Sequence, residues 1–221
     1  MKNIVKILAI KQVTHDVKCF RFEKPAGYDF VPGQATDVSI NKPGLEEELR
    51  PFTFTSLENE PYLEFTIKRY EAHHGITDKL HQLVPGDELI IADAWGAIEY
   101  EGPGYFIAGG AGITPFIAIL RALHKEKKIA GNKLFFSNKT AADIIYEQEL
   151  VEILGNNVVF ILTKENNPSY VHGHIDTAFI KQNVNDFNKH FYICGPDEMV
   201  IDLTKQLEQL GAKTDSVVFE K

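Results

Sequence analysis

The hydrophobic pattern changes period about halfway along the chain, and that change limits the fold more than any other feature of the sequence. In the first hundred residues apolar side chains recur at alternate positions, as in Lys18-Cys19-Phe20-Arg21-Phe22, Thr36-Asp37-Val38-Ser39-Ile40 and Tyr62-Leu63-Glu64-Phe65-Thr66-Ile67-Lys68, and Glu88 to Ala92 is a further short apolar run. Turn-forming clusters separate these runs: Pro25 to Gly27, Pro32-Gly33, Lys42-Pro43-Gly44, Glu58 to Pro61 and Pro85-Gly86-Asp87. Short strands punctuated in this way make an antiparallel barrel or a sandwich. One short helix fits between Thr77 and Leu83, with Leu80 and Leu83 on one face.

In the second half apolar runs of strand length alternate with helical patterns. Tyr105 to Ala108, Lys133 to Phe136, Val158 to Leu162, Phe191 to Cys194 and Ser216 to Phe219 read as strands. Pro115 to about Glu126, about Tyr146 to Leu154, and Asp197 to Leu210 read as helices. That alternation implies right-handed crossovers in a parallel sheet, an α/β domain. The expected boundary is Glu101-Gly102-Pro103-Gly104, dividing the chain into residues 1–101 and 102–221.

Composition narrows the function. The net charge of −8 argues against nucleic acid as the main partner, because phosphate neutralisation requires clustered Lys and Arg. Two cysteines, Cys19 and Cys194, cannot supply the four thiolates of an iron–sulfur cluster. His73-His74 and His172-Gly173-His174 have no further ligands to complete a metal set, so no metal site is expected and these read as surface histidines. Glycines and Pro115 interrupt the longest apolar candidate, Tyr105 to Leu123, and the N-terminus lacks a secretory pattern. The expectation is a cytoplasmic protein with no membrane partner.

Gly109-Gly110-Ala111-Gly112-Ile113-Thr114-Pro115 joins the first parallel strand to the helix after it. Glycines let a backbone approach a ligand closely, proline suits the first turn of a helix, and free N–H groups at a helix start attract phosphate. The dinucleotide fingerprint Gly-x-Gly-x-x-Gly fits Gly110 and Gly112, but Pro115 stands where the third glycine belongs. The segment instead resembles the Gly-Gly-x-Gly-Ile-Thr-Pro motif of the ferredoxin–NADP⁺ reductase superfamily, which also contains cytochrome b5 reductases, flavodoxin reductases and oxygenase reductase components. Three further matches follow in the family's order and extend the resemblance over nearly the whole chain. It implies an N-terminal FAD-binding antiparallel β-barrel and a C-terminal nicotinamide-binding α/β domain, with the flavin and nicotinamide rings face to face.

Arg50-Pro51-Phe52-Thr53 is similar to the family's Arg-x-Tyr-Ser/Thr motif. The resemblance places Arg50 on the flavin diphosphate, Phe52 beside the ring and ribityl chain, and Thr53 near flavin N5, with Pro51 between them. Phe52 replaces the family's tyrosine, keeping the stacking surface and losing the phenolic hydrogen bond. Ile67-Lys68-Arg69-Tyr70 and His74-Gly75-Ile76-Thr77 resemble the family's strand end and its Gly-x-Ser/Thr loop. The likeness gives Ile67, Lys68 and Tyr70 contacts to FAD, and Gly75, Ile76 and Thr77 its pyrophosphate. Thr77 also reads as a helix cap, and Pro32-Gly33-Gln34 as a structural turn.

Cys194-Gly195-Pro196-Asp197-Glu198-Met199 resembles the family's Cys-Gly-Pro-x-x-Met motif. The likeness puts Cys194 and Thr114 at the nicotinamide, and Gly109, Gly110, Gly112, Ile113, Pro115, Gly195, Pro196 and Met199 around the dinucleotide. In the loop from Ser137 to Ile145 only Lys139 is available for a 2′-phosphate, so the pattern points to NADH over NADPH. Plant-type relatives end in an aromatic residue that covers the flavin; here Phe219 reads as core of the final strand, with an approach to the flavin as the alternative. The implied function is hydride transfer from NADH or NADPH to FAD. Electrons then pass to a small redox protein such as flavodoxin or ferredoxin. The alternative is a non-catalytic flavin-binding subunit of a larger redox complex.

Overall fold

A computed structural model describes residues 2–71, 75–96, 98–213 and 217–219, the last three by their backbone alone. His73 and His74 lie outside the described residues, as does the side chain of Phe219. Contacts divide the chain into two compact units, Met1–Gly96 and Ala97–Lys221. No helix among the described residues is long and apolar enough to cross a membrane.

The first unit contains β1 (Asn3–Thr14), β2 (Val17–Glu23), β3 (Ala35–Ile40), β4 (Arg50–Thr53), β5 (Tyr62–Lys68), helix α1 (Ile76–Leu80) and β6 (Glu88–Ile91). Among the described residues its strands are antiparallel in the order β4-β3-β6-β1-β2-β5. Phe54, just beyond β4, bridges Phe65 of β5, and the Thr55 N–H donates to the Glu64 carbonyl at 2.8 Å. The two outer strands are thereby joined, and the sheet closes into a barrel with no free edge there. The alternating side chains seen in the sequence fill it: Phe22 and Phe65 lie 4.6 Å apart by ring centroid, Phe54 and Phe65 5.2 Å, and Phe30 and Phe54 4.3 Å.

Three features depart from the sequence expectation in this unit. The long strand β1 was not anticipated. Register shifts between Ile7 and Ala9 and between Gln12 and Thr14 break its alternation, and its outward residues Ile4 and Leu8 are apolar. Helix α1 stops at Leu80 instead of reaching Leu83, although both leucines are buried as expected. Thr77 does not cap this helix: Gly75 holds the N-cap position, without a side-chain bond, and Thr77 lies inside the first turn.

The second unit contains β7 (Gly104–Gly109), α2 (Thr114–Lys125), β8 (Lys133–Asn138), α3 (Glu147–Leu154), β9 (Val158–Leu162), β10 (Val171–His172), α4 (Thr177–Asn183), β11 (His190–Cys194), α5 (Asp197–Gln209) and β12 (Val217–Phe219). Its described strands are parallel, in the order β10-β9-β8-β7-β11-β12. Phe135, Ile107 and Ile193 face a core shared with Phe179 of α4 and Leu203 and Leu207 of α5. The opposite face carries Phe106, which meets Phe116 of α2 edge-on at 5.1 Å. Two elements absent from the sequence reading are the two-residue β10 and α4, whose N-cap Asp176 accepts the Phe179 N–H. Helix α3 starts one residue late because Tyr146 has a left-handed backbone, φ 54°.

Tyr192 fixes the entry to this sheet. Its buried hydroxyl accepts the N–H groups of Glu101 and Gly102, each at 3.0 Å, and donates to the Gly102 carbonyl at 2.8 Å. Burial raises its pKa above the usual phenol value, which keeps the hydroxyl neutral. Tyr192→Phe leaves buried peptide groups without partners, and an unfolding free energy lower by about 1–3 kcal/mol is the expected result in a urea titration.

Candidate functional site

Strand order in the second unit reverses at β7. The chain lays down β7, β8, β9 and β10 outward in one direction, then returns to place β11 on the other side of β7. The turns leaving β7 and β11 therefore diverge and open a crevice at the carboxyl ends of these two strands, the place where open α/β sheets bind ligands. Both sequence motifs of this half sit there: Gly109 to Pro115 leaves β7, and Cys194 to Met199 leaves β11.

The first turn, Gly110–Ile113, is a single 3₁₀ turn that runs directly into α2. Gly110 has φ 53°, and a Cβ there would meet nothing within 4 Å. Thr114 donates its hydroxyl to the Ala111 carbonyl at 3.1 Å, which steadies the turn. Ile113 and Pro115 are buried, so they anchor the turn and present no side chain to a ligand.

The other glycines pack within the chain, and Gly112 is required by backbone contacts. A Cβ on Gly112 would lie 2.3 Å from the Cys194 carbonyl oxygen and 2.6 Å from the Gly195 nitrogen. A Cβ on Gly109 would lie 2.7 Å from the Met199 sulfur, and one on Gly195 2.8 Å from the Met199 methyl. Met199 is thus a filler wedged beneath two glycines. Cys194 is 6% exposed at the end of β11, and Pro196 is exposed as the N-cap of α5. The arrangement is a cradle of backbone N–H groups at the start of α2, with an open side at Gly110, and it suits a diphosphate.

In the barrel, Arg50 and Pro51 are exposed, Phe52 is half-buried against the core, and Thr53 is 7% exposed. The Arg50 guanidinium donates to the neighbouring Leu49 carbonyl at 2.7 Å. The second barrel motif converges on the same region. Strands β4 and β5 meet where the barrel closes, and Phe52 and Phe65 lie 5.9 Å apart by ring centroid. Lys79 of α1 pairs with Glu48 at 2.9 Å, tying the helix that carries Ile76 and Thr77 to the segment just ahead of Arg50.

The remaining predicted residues differ in what they can offer. Ile67 and Ile76 are core side chains, so their contribution is through the backbone, and the Ile67 carbonyl already bonds His81 Nε2 at 2.8 Å. Lys68 is paired with Asp16 at 2.9 Å. Burial alone would raise the Asp16 pKa, but the Lys68 and Thr14 hydrogen bonds and the Lys68 charge hold it below the usual carboxylate value. Tyr70 is 47% exposed, and Gly75 and Thr77 are half-buried. Gln34 accepts the Val31 N–H at 2.9 Å, and Gly33 has φ 98°, so Pro32-Gly33-Gln34 is the structural turn expected.

One residue not singled out from the sequence lies on this surface. Trp95 bridges Ala35, which pairs in register with Thr53, so the three residues form a row across neighbouring strands. Directly opposed antiparallel residues share a face, which puts Trp95 on the Thr53 side of the sheet, 38% exposed. Nothing in the sequence pattern around Ala94-Trp95-Gly96 marks it.

Beyond β8, Thr140 and Asp143 form a reciprocal capping box, with the Thr140 N–H and hydroxyl both on the Asp143 carboxylate at 2.8 and 2.7 Å. Glu165, following β9, accepts the Ala141 N–H at 2.8 Å, and this bond holds its carboxyl below the usual range. The Lys164 N–H donates to the Lys139 carbonyl at 3.0 Å, so the backbones of two exposed lysines are joined at this corner. His172 and His174 are exposed, as expected of surface histidines.

The family model for an oxidoreductase FAD-binding domain matches residues 5–100, and that for an oxidoreductase NAD-binding domain matches residues 106–205. The reductase component of propane 2-monooxygenase from Rhodococcus jostii is 28% identical over 234 residues, covering 98% of this chain and 62% of that protein. The chain therefore spans less than two thirds of that relative's length. NADH-cytochrome b5 reductase 2 of Candida glabrata is 28% identical over 242 residues, covering 94% of this chain and 80% of that protein. The FAD/NAD-binding domain of nitric oxide dioxygenase from Vibrio cholerae shares the fold at a TM-score of 0.87 and 21% identity, covering 98% of this chain and 97% of that one. With an FAD-binding barrel, an NAD-binding α/β unit and their motifs in this order, the chain belongs to the ferredoxin–NADP⁺ reductase superfamily.

Proposed function

We propose that this chain is a reductase that takes a hydride from a nicotinamide dinucleotide onto bound FAD and delivers electrons to a separate redox partner. The observation that carries this reading is the meeting of two glycine turns at the reversal of strand order, where Gly112 lies directly against Cys194 and Gly195. On this reading residues 1–101 hold FAD and residues 102–221 hold the dinucleotide. When bound, FAD supplies the hydride acceptor and the means of dividing an electron pair into single electrons.

The protein's residues bind, orient and exclude water. Arg50 donates charge-assisted hydrogen bonds to the flavin diphosphate, and the first-turn N–H groups of Ile76 and Thr77 with Gly75 add to them. Pro51 and Phe52 supply an apolar wall for the ring, Thr53 offers its hydroxyl to flavin N5, and the β5 end with Ile67, Lys68 and Tyr70 lines the nucleotide half. Gly109, Gly110, Gly112 and Ile113 present peptide groups to the dinucleotide diphosphate at a helix start that Pro115 shapes. Thr114 and Cys194, with Gly195, Pro196 and Met199 behind them, hold the nicotinamide end.

The acceptor is a small redox protein of the flavodoxin or ferredoxin kind, or an oxygenase or cytochrome component as in the relatives. The coenzyme is NADH, because the loop from Ser137 to Ile145 offers only Lys139 to a 2′-phosphate, and the carboxylates of Asp143 and Glu165 are held at the same corner. Steady-state assays with both coenzymes test this, and kcat/KM at least about tenfold higher for NADH is expected. A marked preference for NADPH would overturn it.

Trp95 gives a direct test of the flavin site, because it is the single tryptophan of the chain. FAD titrated into the flavin-free protein is expected to quench its emission in step with flavin uptake. The yellow product is expected to bleach when NADH is added without oxygen. A chain that takes up FAD and stays yellow under both NADH and NADPH would instead be the non-catalytic subunit.

A further inference from the structure

Asn138 ends β8 at 5% exposure, and its amide nitrogen and oxygen are both buried with no hydrogen-bond partner among the described residues. Its backbone carbonyl is engaged, taking the Thr163 N–H at 2.9 Å. Buried amides of this kind are rare, because each unmet donor or acceptor costs stability that an apolar side chain of the same size would not. A leucine would fit the pattern of the strand, in which Leu134 and Phe136 occupy the preceding positions on the same face.

The register locates the orphaned amide. Gly109 pairs with Ser137, so Asn138 stands one step further on, level with Gly110, the first residue of the turn. Side chains of β8 alternate, and Phe136 lies beside Ala108 on the face that Phe106 shares with Phe116 of α2. Asn138 is therefore on the α2 side of the sheet, beside the turn that begins α2. Gly110 is also the glycine of this turn whose α-carbon looks into open space.

We propose that Asn138 is a positioning residue for the dinucleotide: its amide completes its hydrogen bonds with the Gly110–Ile113 turn when that turn holds a diphosphate. A peptide N–H that swings toward an anion exposes new orientations of its neighbours, and an amide carries both a donor and an acceptor to meet them. In the free chain the amide is held unsatisfied, a cost in stability that ligand binding relieves. This inference rests on the reading that the turn binds a diphosphate.

The test uses FAD-loaded, oxidised protein titrated with NAD⁺ and with NADP⁺, reading whichever binds more tightly, so that no turnover occurs. In Asn138→Leu, dinucleotide affinity is expected to fall roughly tenfold while FAD affinity is unchanged. The melting temperature without dinucleotide is expected to rise by about 3–6 °C as the unmet amide is removed. Dinucleotide affinity within twofold of wild type, or a lower melting temperature, overturns the inference and makes Asn138 a satisfied structural residue. Should Asn138→Leu not fold to an FAD-binding state, Asn138→Ser removes the amide without bulk and is judged on affinity alone. A wild-type protein that binds FAD and neither dinucleotide would defeat the underlying reading instead, and the two failures are distinct.

Discussion

Gly112→Ala is expected to abolish reduction by the dinucleotide and to lower the stability of the second unit by at least about 3 kcal/mol. The added methyl would stand 2.3 Å from the Cys194 carbonyl oxygen and 2.4 Å from its carbon, and both are backbone atoms at the end of a central strand. No rotamer change relieves such a contact. The turns after β7 and β11 must separate, and the peptide groups facing the diphosphate move with them. Misplacement by an ångström at a site of this kind costs on the order of 100-fold in rate. Anaerobic stopped-flow measurement of flavin bleaching and a calorimetric scan read the two effects. Gly110→Ala is the control. It meets nothing within 4 Å but sits at φ 53°, so the expected cost is only about 1–2 kcal/mol of backbone strain. If both variants bleach at the wild-type rate, the turn does not position the dinucleotide.

The second large effect is expected at Arg50. Its guanidinium is exposed, and the hydrogen bond it makes in the free chain goes to its own neighbour's carbonyl. Arg50→Ala should therefore leave the stability of the flavin-free barrel within about 0.5 kcal/mol of wild type. FAD affinity should fall by roughly 30- to 150-fold, since hydrogen bonds to charged groups contribute about 1.5–3 kcal/mol and a bidentate pair lies toward the upper end. Arg50→Lys should recover only part of this, because an ammonium lacks the paired geometry that matches two phosphate oxygens. Flavin retained through gel filtration gives the first reading, and quenching of Trp95 gives the affinity. Full flavin retention by Arg50→Ala would move the diphosphate site elsewhere on the barrel.

Much of the fold could be read from the sequence where one physical signal dominates. Tyr105 to Ala108 and Val158 to Leu162 are uninterrupted apolar runs because they are central strands of a sheet with helices on both faces. Phe20 and Phe22 alternate with charged residues because their strand has one wet face. β1 escaped notice for the opposite reason. Its register shifts put successive apolar residues out of phase, and Ile4 and Leu8 are exposed at 60% and 51%. Helix α4 is seven residues long, too short for a clear helical period, and its one signal is Asp176 three residues ahead of Phe179.

The candidate site divides in the same way. Its glycines were visible as a motif, but the motif does not say which glycines are there for a ligand. The structure separates Gly110, with open space before it, from Gly109, Gly112 and Gly195, which are fixed by contacts within the chain. Lys68 is marked by its motif position, and its pairing with Asp16, over fifty residues away, is a tertiary fact that no local pattern records. Asn138 stands in sequence within the loop from Ser137 to Ile145 that bears on coenzyme choice, but that its amide is buried without a partner among the described residues depends on its tertiary neighbours.

The return of the chain to β7 has a consequence for how the protein is made. The barrel is complete once residue 91 has emerged, since β6 pairs with both β1 and β3. The dinucleotide cradle is not, because the wall against which Gly112 packs is supplied by Cys194 and Gly195, some eighty residues later in synthesis. A nascent or truncated chain ending before β11 would then have a closed barrel and a Gly110–Ile113 turn without its packing partner. Vectorial synthesis thus closes the barrel well before the turn after β7 gains the strand end it packs against.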